Sequence, residues 1–177
     1  MNCWTNFLLD YKATFSEEGG LIWRLFTSRL CRFLIVSRMY GTVKNRVLRM
    51  ILFVIYAHYR NSYGLEVVLG SNVDGGLVLA HPYCITLDSH VRIGKQCTLF
   101  KGSTIGSIRG GKMAGAPQLG NRVVVCANAM VCGNIKVGDD VLIAANAFVN
   151  FDVPSNSVVI GNPGVVHQKL NPCKWYV

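Results

Sequence analysis

The hydrophobic positions between Leu119 and Val153 recur every six residues, and two such series run in parallel. The first consists of Leu119, Val125, Val131, Val137, Ile143 and Val149, and the second, four residues on, of Val123, Ala129, Ile135, Val141, Ala147 and Val153. A helix has a period of about 3.6 residues and a strand a period of 2, so neither alone produces a strict period of six. The pattern predicts a parallel β-helix, in which each hexad is a short strand plus a corner and three hexads close one triangular coil.

The same spacing continues towards the N-terminus, but one series changes character. The leading series reads Leu87, Ile93, Leu99 and Ile105, and the companion series reads Ile85, Val91, Cys97 and Ser103. Traced backwards with the register kept, the companion series stays apolar through Leu79, Val73 and Val67, whereas the leading series reaches His81 and then Gly75. A histidine in an apolar series either is buried in the core as an exception to the pattern or lies at a corner of the prism that is open to solvent.

Breaks in the period divide the chain. The glycine-rich segment 106–118 is too long for a corner and is expected to be a loop ejected from the prism. We expect an N-terminal helical segment over 1–62, a β-helix domain over 63–165 and a tail over 166–177. Within the helical segment, one helix is expected to start at Ser16 and run to about Ser37, and a second to run from about Val43 to His58, with residues 1–15 weakly patterned.

The charge of the chain is concentrated in the helical segment. The net charge is +9, and no acidic residue occurs from Gly19 to Leu65, where arginines and lysines alternate with large apolar residues. A basic amphipathic segment is typical of an element that lies on an anionic membrane surface. The equally weighted alternative is a helical cap on the β-helix or on a neighbouring subunit. Nucleic acid is disfavoured as a partner because no binding motif is present.

The cellular location is predicted from what the sequence lacks. There is no signal peptide, and the longest apolar run, 50–57, is much shorter than the roughly 20 residues of a membrane span. The seven cysteines include no Cys-x-x-Cys pair, which favours reduced thiols and no metal site. We therefore expect a cytoplasmic protein, with possible contact at the inner membrane surface through residues 19–60.

His81 is the candidate catalytic residue. A neutral imidazole can accept a proton from a hydroxyl nucleophile near neutral pH. Glu66 lies fifteen residues earlier, close to one coil, where a carboxylate would fix the tautomer of the imidazole and stabilise the imidazolium. The alternative for His81 is a core histidine bonded to the backbone. Ala127 and Ala145, eighteen residues apart, form a ladder of small residues along which an extended ligand can lie.

Three segments resemble the hexapeptide-repeat acyltransferases, most of all serine acetyltransferase and the O-acetyltransferases of capsular and exopolysaccharide synthesis. Leu79-Ala80-His81-Pro82 resembles the segment that carries the catalytic base, Glu66 falls where an aspartate pairs with that histidine, and Val153-Pro154 followed by Gly161-Asn162-Pro163-Gly164 resembles the terminal motif.

The resemblance implies a mainly β fold, a left-handed β-helix with an N-terminal α-helical segment, although crossover rules alone would favour a right-handed one. It implies a homotrimer with acetyl-CoA in the groove between neighbouring prisms and no metal. Ser107, Ala127 and Ala145 would contact the pantetheine arm, Lys169 the phosphates, and a backbone amide near Gly106 and Ser107 the oxyanion.

Two departures from the serine enzymes direct the choice of acceptor. Ala80 replaces an aspartate, and Gly115-Ala116 replaces an Arg-His pair that holds the charged groups of the amino acid. Each lost charge-assisted hydrogen bond is worth roughly 1.5–3 kcal/mol. We therefore expect acetyl transfer to a saccharide hydroxyl, as in polysaccharide biosynthesis. The alternatives are acetylation of serine or of an amino sugar, and a non-catalytic β-helix scaffold.

Overall fold

The computed structural model describes residues 2–15, 20–70 and 72–176, which form a helical segment followed by a β-helix. The helices are α1 (Cys3–Phe15), α2 (Leu21–Thr27), α3 (Arg29–Thr42) and α4 (Arg46–Tyr63). Side chains cap two of them, because Ser28 accepts a hydrogen bond from the Cys31 amide at α3 and Asn45 accepts one from the Leu48 amide at α4. Helix α4 ends at Gly64, whose φ of 61° favours glycine.

The helices differ from the sequence expectation. The expected start at Ser16 lies outside the described residues. The single helix expected to end near Ser37 is instead divided at Ser28 into α2 and α3, and the weakly patterned residues 3–15 form α1. The second expected helix is α4, which extends five residues beyond His58. Within the described ranges, no helix combines the length and the hydrophobicity that crossing a membrane requires.

Fourteen short strands build the β-helix. They are β1 (Glu66–Val67), β2 (Val78–Ala80), β3 (Thr86–Leu87), β4 (Arg92–Ile93), β5 (Thr98–Phe100), β6 (Thr104–Gly106), β7 (Gln118–Leu119), β8 (Val124–Val125), β9 (Met130–Cys132), β10 (Lys136–Val137), β11 (Val141–Ile143), β12 (Phe148–Val149), β13 (Ser157–Ile160) and β14 (Val165–Gln168).

The strands stack into three sheets, one on each side of the prism. Face A contains β1, β3, β6, β9 and β12, face B contains β4, β7 and β10, and face C contains β2, β5, β8, β11, β13 and β14. All pairs are parallel except β13 with β14. From β7 to β12 the predicted stacking is confirmed, since Val125 pairs with Ile143 and Leu119 with Val137, eighteen residues apart. The last coil is shorter than predicted, because Ile143 pairs with Val159, sixteen residues on. Val153 accordingly stacks on Val137 and belongs to the first series, not to the second. These apolar side chains are buried in the interior of the prism.

The first coil does not keep the register that the sequence pattern suggested. Leu79 pairs with Leu99 and Val67 with Leu87, twenty residues apart, so Leu79 belongs to the leading series. The two additional residues fall in the corner between Ala80 and Ile85, which includes Pro82. A corner can absorb extra residues, whereas a strand with one buried face cannot slip by a single residue without turning its apolar side chains outward. His81 therefore does not occupy a core position.

The segment 106–118 interrupts the stacking of the coils and folds into a hairpin. The coil that contains it is 26 residues long, since Leu99 pairs with Val125. Ile108 and Gly115 exchange two backbone hydrogen bonds of 2.9 Å, and the Asn134 amide donates to the Met113 carbonyl oxygen, 3.0 Å away. The loop is thus held against the next coil.

A buried ion pair joins the helices to the first coil of the β-helix. Arg38 of α3 and Asp10 of α1 are 1% and 0% exposed, and the Arg38 Nε lies 2.8 Å from Asp10 Oδ2. Asp10 Oδ1 also accepts the amides of Gly76 and Leu77, each at 2.9 Å. Burial raises the pKa of the Asp10 carboxyl, while the hydrogen bond and the charge of Arg38 and the amides of Leu77 and Gly76 oppose that increase. The pair thus connects α1 and α3 to the corner at Gly76 and Leu77, just before β2.

Candidate functional site

His81 lies at a corner of the prism, directly after β2, where face C turns into face A. Its φ is 51°, its carbonyl oxygen accepts the Tyr83 amide at 2.8 Å, and its side chain is exposed. Of the two alternatives left by the sequence, the structure therefore selects the open corner over the buried core histidine. An exposed imidazole is free to meet a hydroxyl group arriving from solvent.

The corner of His81 continues through the coils above it, and we call this line the His81 edge. Gly102, Asn128 and Asn146 share the left-handed backbone conformation of His81. The Lys101 amide donates to the Ala80 carbonyl, the Asn128 amide to the Lys101 carbonyl and the Asn146 amide to the Ala127 carbonyl, at 3.0–3.1 Å. Asparagine and glycine tolerate this conformation best, which explains their recurrence at this edge.

Ala127 and Ala145 lie on the His81 edge, two and three coils above His81. With neighbouring strands about 4.8 Å apart, they are roughly 10 and 14 Å from His81 along the axis. Among the recorded hydrogen bonds of the described chain, the amides of Ala127 and Ala145 have no acceptor. Small side chains with unpaired amides along one edge could bind the carbonyl groups of an extended ligand.

Glu66 is not brought into contact with His81. It lies on the outer surface of face A, where it pairs with Thr86 rather than with a residue near His81. The fifteen-residue spacing suggested adjacent layers, but the first coil has twenty residues. In the described part of the chain, no hydrogen bond or ion pair joins the Glu66 carboxylate to the imidazole. The orienting role of Glu66 stays a prediction.

Gly106 and Ser107 lie at the opposite edge of face A, where the loop 106–118 leaves the prism. The Ser107 Oγ donates to Asp88 Oδ2 at 2.8 Å, and Asp88 Oδ1 accepts the His90 amide at 2.8 Å and lies 2.9 Å from His90 Nδ1. Desolvation raises the pKa of the Asp88 carboxyl, but the hydrogen bonds from His90 and Ser107 outweigh it and hold that pKa below its usual value.

Ser107, Asp88 and His90 form a cluster that was not predicted from the sequence. The available signal was that Asp88 directly follows the core residue Leu87 and that His90 lies two residues further on. In a nucleophilic triad the imidazole lies between the hydroxyl and the carboxylate, whereas here the Asp88 carboxylate lies between the Ser107 hydroxyl and the His90 imidazole. The hydroxyl of Ser107 is consequently not activated by a base. The cluster instead anchors the start of the loop.

Lys169 lies at the third edge, between faces B and C. It follows β14, and its amide donates to the Asn156 carbonyl oxygen at 2.9 Å. The predicted acetyl-CoA residues are thus distributed over three edges of one chain. Only Ala127 and Ala145 share an edge with His81.

A cleft of about 570 Å³ lies between the helices and the corner of His81, and sequence analysis did not find it. Its lining includes Arg24, Ser28, Arg29, Tyr63, Pro82 and Tyr83. The Arg29 Nη1 donates to the Tyr63 hydroxyl at 3.1 Å, and the rings of Tyr63 and Tyr83 are 5.4 Å apart at 63°. In the sequence these arginines were part of a general basic pattern, so no local signal set them apart.

All seven cysteines are free thiols, and Cys84 beside His81 is exposed. Burial raises the pKa values of Cys97 and Cys173 to about 12 each, so these two thiols are protonated at neutral pH. In the described ranges, no three His, Cys, Asp or Glu side chains group together as a metal site.

Comparison with known proteins finds similarity to hexapeptide-repeat proteins over part of the chain. Residues 116–150 match the family described as bacterial transferase hexapeptide (six repeats). The serine acetyltransferase of Helicobacter pylori strain ATCC 700392 / 26695 is 42% identical over 101 residues, which are 56% of this chain and 58% of that protein. The serine acetyltransferase of Synechococcus elongatus is 37% identical over 105 residues, or 58% of this chain and 42% of that protein.

Solved structures support the fold over nearly the whole chain. The soybean serine acetyltransferase apoenzyme has a TM-score of 0.77 at 19% identity, covering 94% of this chain and 69% of that one. Neisseria gonorrhoeae serine acetyltransferase in complex with serine has a TM-score of 0.72 at 22% identity, covering 93% and 69%. These likenesses confirm the expected left-handed parallel β-helix with an N-terminal helical segment, and the resemblance to hexapeptide-repeat acyltransferases is confirmed as well.

The expected saccharide acceptor, and with it a role in polysaccharide biosynthesis, is wrong. The two relatives named above are serine acetyltransferases, which contradicts a saccharide acceptor. The chain spans 58% of the length of the Helicobacter pylori protein and 42% of the length of the Synechococcus elongatus protein. The saccharide expectation depended on the absence of an Arg-His pair at Gly115 and Ala116. Charged groups for an acceptor need not come from that loop, and the cleft beside Pro82 contains two arginines from the helices.

Proposed function

We propose that this chain is an acetyltransferase that moves the acetyl group of acetyl-CoA to the hydroxyl of serine. The observation that carries the proposal is the exposed imidazole of His81 at the base of an edge with two unpaired amides, Ala127 and Ala145. The relatives that match over about 100 residues are named serine acetyltransferases. Their names suggest serine as the acceptor and acetyl as the transferred group.

In the proposed reaction, His81 acts as the general base. Its neutral imidazole accepts the proton of the serine hydroxyl as the hydroxyl oxygen attacks the thioester carbonyl. When the carbon–sulfur bond breaks, the imidazolium returns the proton to the departing sulfur, and the products are O-acetylserine and free CoA. The amides of Ala127 and Ala145 would hold the pantetheine arm along the edge. Glu66 is the proposed orienting carboxylate, a role that requires its side chain to turn towards His81 when substrates bind.

We also propose that the working unit is a homotrimer. Gly106 and Ser107, the proposed oxyanion donors, lie at the edge of face A opposite to His81, and Lys169 lies at the third edge. One prism cannot bring its own opposite edges together, whereas neighbouring prisms in a closed ring can join one edge of each copy. A groove shared by two copies would therefore assemble the predicted residues.

Thiol release measured with acetyl-CoA and a panel of acceptors tests the proposed function. We expect release with L-serine to exceed release with glucosamine or with neutral sugars, and sedimentation at the assay concentration to give the mass of a trimer. Release without preference for serine would overturn the acceptor, and full activity at the mass of a monomer would overturn the shared groove. Absence of CoA binding in calorimetry would favour the scaffold alternative.

We further propose that α2 and α4 rest on an anionic membrane surface. The exposed large apolar side chains of these helices are Ile22, Trp23, Phe26, Val47, Leu48, Met50, Ile51, Phe53, Val54 and Ile55. They lie among arginines, and residues 20–65 contain no acidic residue. Two copies facing each other here would oppose like charges, whereas anionic headgroups neutralise them and the acyl boundary accepts the apolar side chains.

Vesicle flotation tests this contact. We expect the protein to float with vesicles of phosphatidylserine and phosphatidylcholine, to bind pure phosphatidylcholine much less, and to be released by salt. The double substitution Met50→Asp and Val54→Asp should weaken binding by about 100-fold or more, because each buried apolar side chain is worth about 1.5–3 kcal/mol. Leu170→Asp, which changes an even more exposed apolar side chain in the tail, is the control. Equal binding of the double variant would contradict the proposal.

A further inference from the structure

We propose that the cleft between α2, α3 and the corner of His81 is the acceptor site, and that Arg29 binds the carboxylate of the acceptor there. This inference rests on the proposed function, since it assigns the group that recognises serine. The cleft of about 570 Å³ is lined by Pro82 and Tyr83, the two residues that follow His81. His81 itself is not among the lining residues, so an acceptor in the cleft would have to extend its hydroxyl past Pro82 to reach the candidate base.

Arg29 has hydrogen-bonding capacity that Arg32 and Arg38, the other two arginines of α3, lack. It is exposed and donates one recorded bond, from Nη1 to the Tyr63 hydroxyl. By contrast, Arg32 donates to the Tyr59 hydroxyl and to the carbonyls of Leu25 and Phe26, and Arg38 is paired with Asp10. A guanidinium with a free fork matches the two oxygens of a carboxylate.

The charge of the cleft favours an anion. Among the described residues, its lining contains two arginines and no Asp or Glu, and the hydroxyls of Ser28 and Tyr63 add polar groups beside Arg29. Leu30, Phe33 and Leu65 form the apolar part of the wall. An acceptor with a carboxylate at one end and a hydroxyl at the other suits this arrangement, because the hydroxyl end can lie towards the Pro82 side.

Position 115 of the ejected loop cannot hold an arginine in the present conformation. Gly115 has a φ of 133°, and a Cβ placed on it would lie 2.8 Å from the Asn134 Cβ. The two cations that the loop does carry, Arg109 and Lys112, belong to a segment that leaves the prism at the edge of face A opposite to His81. Arg29 at the start of α3, by contrast, lines the same cleft as Pro82 and Tyr83 beside the corner of His81.

Steady-state kinetics with two acceptors tests this assignment, using L-serine and L-serinamide, which lacks the carboxylate. Arg29→Met should raise the KM for serine by roughly 10- to 100-fold with kcat changed by less than about twofold, because the carboxylate loses a charge-assisted bond. The same substitution should leave the KM for serinamide nearly unchanged, and Arg29→Lys should restore part of the serine affinity. Arg46→Met, which removes the same charge from the start of α4, is the matched control.

The outcomes separate this inference from the proposed function. If wild-type protein acetylates serine but Arg29→Met penalises serine and serinamide equally, the carboxylate assignment is overturned and the proposed function stands. If wild-type protein acetylates neither compound, the proposed function fails, and calorimetry with L-serine then decides the site. Serine binding that Arg29→Met weakens supports the site, and absent or unaffected binding overturns it.

Discussion

Replacing His81 with alanine should lower kcat by about 10²–10⁴-fold, because a positioned general base contributes a factor of that size. The ring is exposed and its position is set by backbone contacts of the corner, so the substitution should leave the fold intact. Affinity for CoA, measured by calorimetry, should remain within about twofold, since the proposed contacts of the pantetheine arm come from the Ala127 and Ala145 amides.

The matched control for this prediction is His167→Ala, which removes an exposed imidazole from β14. It should change kcat by less than about twofold. Unchanged turnover in the His81 variant would refute the assignment of the base.

Replacing Arg38 with methionine should reduce the free energy of unfolding by about 3–5 kcal/mol, because it leaves the Asp10 carboxylate buried without its partner. Asp10 would keep the amides of Gly76 and Leu77, whereas the Val73 and Asp74 carbonyls would lose their donor. In a domain of this size such a loss corresponds to a fall in Tm of roughly 6–20 °C. Urea denaturation followed by circular dichroism, at one fixed protein concentration, measures it.

The control is again Arg46→Met, since Arg46 is exposed at the start of α4. A surface arginine substitution of this kind should stay within about 0.5 kcal/mol. If the Arg38 variant unfolded at the same urea concentration as Arg46→Met, the ion pair would have no role in joining the helices to the first coil.

The acceptor shows where inference from single positions fails. Gly115 and Ala116 correctly indicated that the loop lacks the charged pair of the serine enzymes. The step from there to an uncharged acceptor assumed that recognition groups occupy the same element in every relative. Recognition of a carboxylate requires donors at the right place in space, and a helix far away in sequence can supply them.

His81 shows how a candidate residue at an open corner can be found through an incorrect register. The six-residue period marked it as a polar side chain in an apolar series, but the coil has twenty residues and Leu79 takes the core position. Corner residues do not contribute to the hydrophobic period, so an insertion between Ala80 and Ile85 is invisible to it. For the same reason, the spacing of Glu66 could not show that Thr86 would be its neighbour.

The sequence by itself determined the stacked prism and the series that fills its interior between Ile85 and Val149, because both follow from a local repeat that buries every sixth side chain. It also marked the basic apolar helices, since their composition is uniform over many residues. Only the tertiary structure decided which residues share an edge, that Asp10 and Arg38 meet, and that a cleft opens beside Pro82. These features depend on contacts between residues distant in sequence, and no periodicity encodes such contacts.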